Sequence, residues 1–436
     1  LREIAFKQRF VSPEAPVFFG FEWFPTNIAT GHFLLVGASG SGKTILLRLM
    51  MQSVLPRILP GSNQRAVILD AKHEAVAQLA GMGLMDRTLI LNPFDARCAV
   101  WDIANDFKTP NDALALSKLF LPNNDGEKDP FWTNSARGLL ADIVLAHILA
   151  LQKKRIPHWS LADIVRSLQS KAEIQAALAL DEATAEALRN VHEENTLHGI
   201  LATLDLVRRE FEVLAALWDE PSSDPSRTFS LTEWTRSEGI LVLGPTAAAE
   251  AIVTPLNRLT LDRIAQLLLD APENPVESDQ PPARTWLFLD EFQRLGHVPR
   301  MESLMTNGRS KGVVAVFGFQ EISDLRHIYR PEIAITLTGS CTHKVLLQAP
   351  SPEHATWCEE VIGSEHVVQL AKNTSVTSGT GGQSSRSEGL ASSEKTRPLF
   401  TKDEFRMLGK PGERMPLRLP PRWLHLIPIS SLRQFG

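Results

Sequence analysis

Eight consecutive residues, Gly37-Ala38-Ser39-Gly40-Ser41-Gly42-Lys43-Thr44, carry the spacing G-x-x-x-x-G-K-[ST] of a phosphate-binding loop. Glycines at 37, 40 and 42 let the backbone turn sharply and aim N–H groups at phosphate oxygens, and the start of a helix adds the positive end of its dipole. Lys43 is placed to neutralise β- and γ-phosphate charge, and Thr44 to ligate Mg²⁺. The flanks agree with this. His32-Phe-Leu-Leu-Val36 reads as a buried strand, while Ile45, Leu46, Leu49, Met50 and Val54 recur at helical spacing, so the glycines fall at a strand-to-helix turn. A Gly/Ser-rich connector would not need that register.

Such a loop binds nucleotide but does not hydrolyse it; hydrolysis needs a carboxylate at the metal and a group that polarises water. Thr285-Trp-Leu-Phe-Leu-Asp-Glu291 is an apolar run ending in two acids, the pattern of a parallel strand buried on both faces with its active end at the C-terminus. Asp290 is expected to hold Mg²⁺ through water and Glu291 to orient or deprotonate the attacking water. On the next βα unit, Asn307-Gly-Arg309-Ser-Lys-Gly312 opens onto Val313-Val-Ala-Val-Phe-Gly-Phe-Gln320. Gln320 at that strand end can sense a γ-phosphate, although a Gln there also serves to cap the following helix. Arg309 is the candidate cation for a neighbouring subunit's nucleotide, with Lys311 the competitor.

The supporting elements follow an α/β order. Ala66-Val-Ile-Leu-Asp70, Thr88-Leu-Ile-Leu-Asn92, Gly239 to Gly244, Thr285 to Asp290, Val313 to Gln320 and Lys344 to Gln348 read as strands of one doubly wound, mostly parallel sheet. The aromatic stretch Pro16 to Pro25 reads as a short strand or hairpin ahead of it. Between about Asn105 and Arg227 the strand signal stops and Leu and Ala recur every three or four residues. Helices are expected at Asp112 to Leu119, Asn134 to Gln152, Leu161 to Leu168, Ala172 to Leu178, Glu182 to Asn190 and Leu197 to Trp218, with a loop at 122 to 126. The chain thus divides into 1–104, first part of a nucleotide-binding domain; 105–227, an inserted all-helical domain; and 228–436, the second part. Residues 373–396, rich in Ser, Gly and Thr, are expected to be a mobile loop, and Ala271 to Pro282 a second solvated one. Thr401 should cap a short helix with Glu404 in the capping box, and Trp423 to Pro428 should form a last edge strand.

With 436 residues, 43% of them hydrophobic and 22% charged, the chain can build one large or two medium cores. A net charge of −5 gives no overall basic field for nucleic acid, so DNA contact must use a local surface. Acidic residues outnumber basic ones within 105–227, which marks the insertion as a protein- or cargo-facing module rather than a duplex-DNA surface; a helical insertion that only braces the core is the alternative. Three scattered cysteines without C-x-x-C spacing suggest a reducing compartment and no structural zinc. No apolar run is expected to cross a membrane, because Asp142 and His147 break the most apolar helix. The chain begins at Leu1 rather than Met, so a preceding segment, with room for a membrane anchor, is expected.

Several segments in order resemble the type IV coupling proteins, the TraD/TraG-like ATPases of conjugation and type IV secretion. Beside the phosphate loop these are Ile68-Leu-Asp70-Ala-Lys72-His-Glu74, similar to the family's Asp-Pro-Lys-Gly-(Glu/Asp) segment; Leu91-Asn-Pro-Phe-Asp95 and Trp101; Phe131-Trp-Thr-Asn-Ser-Ala-Arg-Gly-Leu-Leu140; the Asp290-Glu291 strand end; the Arg309 turn; Gln320; and Arg397-Pro-Leu. Ala71 and His73 stand where that pattern has Pro and Gly. The resemblance covers most of the chain. It implies a RecA-like P-loop NTPase core, ATP and Mg²⁺ at subunit junctions of a homo-hexameric ring, and Arg309 reaching the neighbour's nucleotide. It further implies DNA in the ring channel, a relaxase or secreted protein as cargo, inner-membrane components of the secretion machine as partners, and a place on the cytoplasmic face of the bacterial inner membrane.

Two other functions fit the same motifs. A soluble FtsK/HerA-like DNA translocase would share the core, though the acidic insertion argues against it. A substrate receptor in which ATP mainly organises assembly would show slow turnover that DNA leaves unchanged.

Overall fold

A computed structural model describes residues 17–19, 22–24, 30–122, 130–187, 194–219, 224–244, 249–275, 281–378 and 384–409. The aromatic N-terminal stretch forms a hairpin, β1 (Val17–Phe19) against β2 (Glu22–Phe24). A seven-stranded sheet is built from β3 (Phe33–Val36), β4 (Gln64–Leu69), β5 (Thr88–Leu91), β8 (Gly239–Leu243), β9 (Arg284–Leu289), β10 (Val313–Phe319) and β11 (His343–Leu346), with β6 (Val100–Trp101) and β7 (Thr228–Phe229) as a separate pair. Its order is β11-β3-β10-β9-β4-β8-β5. The ladders β10·β9, β9·β4, β4·β8 and β8·β5 are all parallel. Strands β4, β8, β9 and β10 are buried along their whole length, which explains their continuous Val/Ile/Leu/Phe sequences: a parallel sheet has helices on both faces and no wet side. The fold is an α/β, RecA-like P-loop NTPase core carrying an all-helical insertion.

The insertion leaves the sheet through the β6·β7 pair, in which Val100 stands opposite Thr228 and Trp101 opposite Phe229. Buried Asp106 closes this neck. Its carboxylate accepts from Ser230 Oγ at 2.8 Å and from the backbone N–H groups of Leu231 and Thr232 at 2.7 and 2.8 Å. Beyond it lie helices Pro110–Phe120, Phe131–Gln152, Leu161–Ser167, Lys171–Leu178 and Glu194–Asp219. Their starts are set locally: Thr109 with Asp112, and Ser160 with Asp163, form capping boxes, and Pro110 occupies the first turn where its missing N–H costs nothing.

Three expectations need correction. Residues 373–396 are not a loop as far as they are described: β12 (Ser364–Ser378) and β13 (Ser384–Pro398) form an antiparallel ribbon running from Ser364↔Pro398 to Ser378↔Ser384. A two-stranded ladder pairs its inward-facing N–H and C=O groups while water can take the outward-facing ones, and it needs no apolar face, so low hydrophobicity did not exclude it. Residues 182–186 of the Glu182 to Asn190 segment are turn rather than helix, 187 is 3₁₀, and 188–190 lie outside the described residues. There the Thr184 hydroxyl donates to Leu178 O and the Asp181 carboxylate accepts from Ala183 N, side-chain bonds that compete with a helical ladder. Finally, Phe131–Gln152 is long and apolar enough to cross a membrane, with Asp142 and His147 inside it. It is nevertheless a core helix of the insertion. Leu140, Ile143, Val144, Ala146 and Ala150 are buried, and the His147 ring nitrogen Nδ1 is bonded to Ile143 O at 2.8 Å.

The Thr401 helix forms as expected, Lys402–Met407 with a Thr401/Glu404 capping box. The expected loop residues 123–126 and the expected edge strand 423–428 lie outside the described residues, as do 276–280 of the second loop. By compactness the chain divides into one unit of residues 1–34, 44–318 and 332–343, and another of 35–43, 319–331 and 344–436. The first contains the insertion and the Asp290 strand end. The second contains the glycine loop up to Lys43, the turn carrying Gln320, helix Pro352–Ile362 and the β12·β13 ribbon.

Candidate nucleotide site

The glycine loop leaves β3 at Val36 and ends at helix Lys43–Val54, which has neither an acid in its first turn nor a competing anion of its own. Gly40 and Gly42 sit at φ +77° and +107°, angles that side chains rarely adopt, so the glycines are required by the backbone. The loop is anchored from two sides: Gly37 N–H donates to Phe319 O at 3.4 Å and Ala38 N–H to Gln348 O at 2.7 Å. Lys43 is buried, its Nζ donating to Gly37 O at 2.5 Å and Ala38 O at 3.0 Å, so the cation folds back over its own loop. Because Phe319 O holds Gly37, the next residue, Gln320, is delivered beside the loop's first glycine.

One residue after Lys43, the Thr44 hydroxyl donates to Asp290 Oδ2 at 3.1 Å. Two neighbouring oxygens of an octahedral Mg²⁺ shell, each about 2.1 Å from the ion, stand about 3 Å apart. The pair would fit a hard divalent cation, whose candidate protein oxygens are Thr44 and, directly or through a water, Asp290. Asp290 lies one residue past β9 and is buried with Glu291. Glu291 adopts left-handed backbone angles (φ 50°, ψ 43°) at the start of a short 3₁₀ turn, Phe292–Leu295. A non-glycine residue held there costs of order 1–2 kcal/mol, a kind of strain that concentrates at functional sites. Its carboxylate contacts Arg294 Nε at 2.5 Å and lies 3.8 Å from Lys72 Nζ.

Arg309 is exposed on the turn before β10 and therefore lies at the N-terminal edge of the sheet, opposite to the Asp290 edge. Its own chain offers it no approach to Asp290. Lys311, the competing cation, donates to Ala271 O and is committed to its own chain.

Four residues absent from the sequence-based set belong to this region. Lys72 donates to Thr44 Oγ1 at 2.8 Å. Its place in the Ile68 to Glu74 segment was a signal, since Asp70 accepts from Glu74 N and Ala75 N, both at 3.0 Å, and so starts helix Ala75–Gly81. Burial pushes the Asp70 carboxyl up, against the smaller opposing pull of backbone bonds from Ala75, Lys72 and His73. His73 occupies φ 59° where the resembling pattern has Gly. Gly318 leaves room for the metal-site acid: a Cβ there would meet Asp290 Oδ1 at 2.7 Å. A glycine within a strand signals such close approach. His354 is fully buried, accepts from Ile322 N–H at 3.1 Å through Nδ1, and has its pKa lowered to about 4 by burial and then by the Lys43 charge. No spacing in the sequence pointed to it.

The fold is that of the RecA-like P-loop class, a parallel sheet with a glycine loop at a strand-to-helix turn and an all-helical insertion. The family described as the type IV secretion-system coupling protein DNA-binding domain matches residues 21–417, and the chain belongs to it. It is similar to coupling protein TraD of Escherichia coli strain K12, 26% identical over 350 residues, which is 79% of this chain and 45% of TraD. The chain thus spans about half the length of that relative. Among solved structures, the unbound conjugative coupling protein TrwBdeltaN70 superposes with a TM-score of 0.71 at 20% identity, over 93% of this chain and 87% of TrwB. TrwB in complex with ADP and Mg²⁺ gives 0.68 over 93% of this chain and 86% of the other, at the same identity. At that identity the likeness speaks for the fold.

Proposed function

We propose that this chain is the ATP-hydrolysing motor of a coupling protein, recruiting DNA and attached protein and driving their transfer into a conjugation or type IV secretion machine. The observation that carries the reading is the Thr44–Asp290 bond, which brings the last residue of the glycine loop to the acid strand across 246 positions. Family membership and the nucleotide complexes of TrwB support it.

In this reading the loop amides and Lys43 take the β- and γ-phosphates, Lys43 exchanging two carbonyls for phosphate oxygens. Thr44 and Asp290 hold Mg²⁺, which supplies positive charge to the phosphate oxygens. Glu291 orients the attacking water; Arg294 must release or share its carboxylate first. Gln320 registers the γ-phosphate from the turn that Phe319 O ties to Gly37. Arg309 completes the neighbouring subunit's site in a homo-hexameric ring, DNA passes through the channel, and the acidic insertion, 105–227, meets a relaxase or secreted protein. The ring works at the cytoplasmic face of the inner membrane with the membrane components of the machine.

The test is phosphate release by the full chain with and without DNA. Expected is Mg²⁺-dependent hydrolysis that DNA raises and Glu291→Gln abolishes. Turnover that ignores DNA would favour the receptor reading instead.

A further inference from the structure

One ammonium group stands among the oxygens of the metal site. Lys72 Nζ donates to Thr44 Oγ1 at 2.8 Å and lies 3.8 Å from Glu291 Oε1, while the same Thr44 hydroxyl gives its proton to Asp290 Oδ2 at 3.1 Å. The Thr44 lone pairs therefore face Lys72, and these are the electrons a Mg²⁺ would draw on. The Lys72 side chain is 43% exposed and that of Glu291 only 6%, so the lysine reaches in from the solvent side and can withdraw without opening the core. Its turn is braced. Asp70 caps the following helix through Glu74 N and Ala75 N, and the Glu74 carboxylate pairs with Arg48 on helix Lys43–Val54.

We propose that Lys72 is a built-in counter-cation of the metal site: it holds Thr44, Asp290 and Glu291 together in the metal-free state and competes with Mg²⁺ for the Thr44 hydroxyl. This rests on the nucleotide-site reading above. Thr44 Oγ1 has two lone pairs, but an ammonium and a dication drawn to the same oxygen stand within about 4 Å of each other and repel. Metal arrival therefore expels Lys72, and with it a cation from beside Glu291. Loading of the metal and departure of Lys72 from beside Glu291 become one event, with Arg294 still on the carboxylate at 2.5 Å. Lys72 is a positioning residue, acting through Thr44 and Glu291.

The experiment measures binding of N-methylanthraniloyl-ADP to the full chain by fluorescence at increasing Mg²⁺, for the parent, Lys72→Met and Lys72→Arg. The Met variant should reach half-saturation at about twofold to fivefold lower Mg²⁺, the range that a partly exposed charge contact supplies. Lys72→Arg should stay near the parent, and ADP affinity in EDTA should be unchanged in all three. Thermal melts supply a second measure: without metal the Met variant should melt below the parent, and added Mg²⁺ with ADP should raise its midpoint more. A higher Mg²⁺ requirement in the Met variant, or weaker ADP binding in EDTA, would make Lys72 a phosphate ligand and overturn the proposal. An unchanged requirement would make it a solvated bystander. A parent chain that binds no ADP at any Mg²⁺ concentration would overturn the nucleotide reading and this proposal with it.

Discussion

Arg309 and Asp290 lie at opposite ends of two neighbouring parallel strands. Val313 stands opposite Thr285 in the β10·β9 ladder, and the arginine precedes the first while the acid follows the second by five residues. At about 3.3 Å per residue, that alone separates them by roughly 17 Å along the strand axis. This separation is what the proposed role of Arg309 at a neighbouring subunit's nucleotide requires.

Arg309→Ala should therefore lose hydrolysis by a factor of about 10³ or more while still binding nucleotide, the loss expected for an absent arginine finger. Lys43→Ala should be inactive as well. Mixing the two dead variants creates junctions with an intact Lys43 on one side and an intact Arg309 on the other, so activity should return on mixing and specific activity should rise with protein concentration. Parental turnover by Arg309→Ala under ring-forming conditions would dismiss the assignment.

Glu291→Gln should separate binding from chemistry. The residue contacts Arg294 and Lys72 but is not part of the glycine loop, so nucleotide affinity should stay within about twofold while turnover falls at least about a hundredfold, the loss being one of transition-state interaction. Comparing nucleotide binding with single-turnover hydrolysis checks this; equal turnover in variant and parent refutes it.

Gly318→Ala tests the shape of the metal site. The added Cβ would come within 2.7 Å of Asp290 Oδ1, forcing the carboxylate away from Thr44. Hydrolysis should fall and the Mg²⁺ requirement rise, with the melting midpoint little changed because the colliding atom belongs to a side chain. If the Mg²⁺ dependence is unaltered, Asp290 is not at the metal.

Acid should destabilise the fold in a defined window. His32 and His354 are both buried and both held at about 4, below the ordinary value of 6.5. Above about pH 6.5 neither state takes up the proton; between 6.5 and 4 only the unfolded chain does, so stability is complete at neutral pH and is lost as pH falls through that window. A full shift of this size is worth up to about 3 kcal/mol per histidine. Denaturant unfolding at pH 7 and pH 5 should show the loss, and His354→Asn, whose amide oxygen can still accept from Ile322 N–H, should reduce it. Equal stability of the parent at both pH values would contradict the burial argument.

His73 carries left-handed backbone angles between Lys72 and Glu74. Replacing it with Gly removes steric strain, while Val adds to it, so the melting midpoint should stay level or rise for His73→Gly and fall for His73→Val. The reverse order would show that the histidine side chain itself holds the turn.

Local chemistry alone determined much of this protein. The run from Gly37 to Thr44 needs glycine angles that few sequences can supply, the strands announce themselves because a sheet covered on both faces must be apolar throughout, and caps such as Thr401 with Glu404 close within four residues. Asp290 and Glu291 were legible for the same reason, as acids at the end of such a strand. What the tertiary structure alone decided involves partners far apart in sequence or bonds made by the backbone. Lys72 gains its meaning only because β4 lies beside β9 and brings its turn to Thr44 and Glu291; Gly318 only because β10 passes beside Asp290; Arg309 only because parallel register carries it to the far edge. The β12·β13 ribbon escaped composition because its ladder joins peptide groups, which every residue but proline supplies alike.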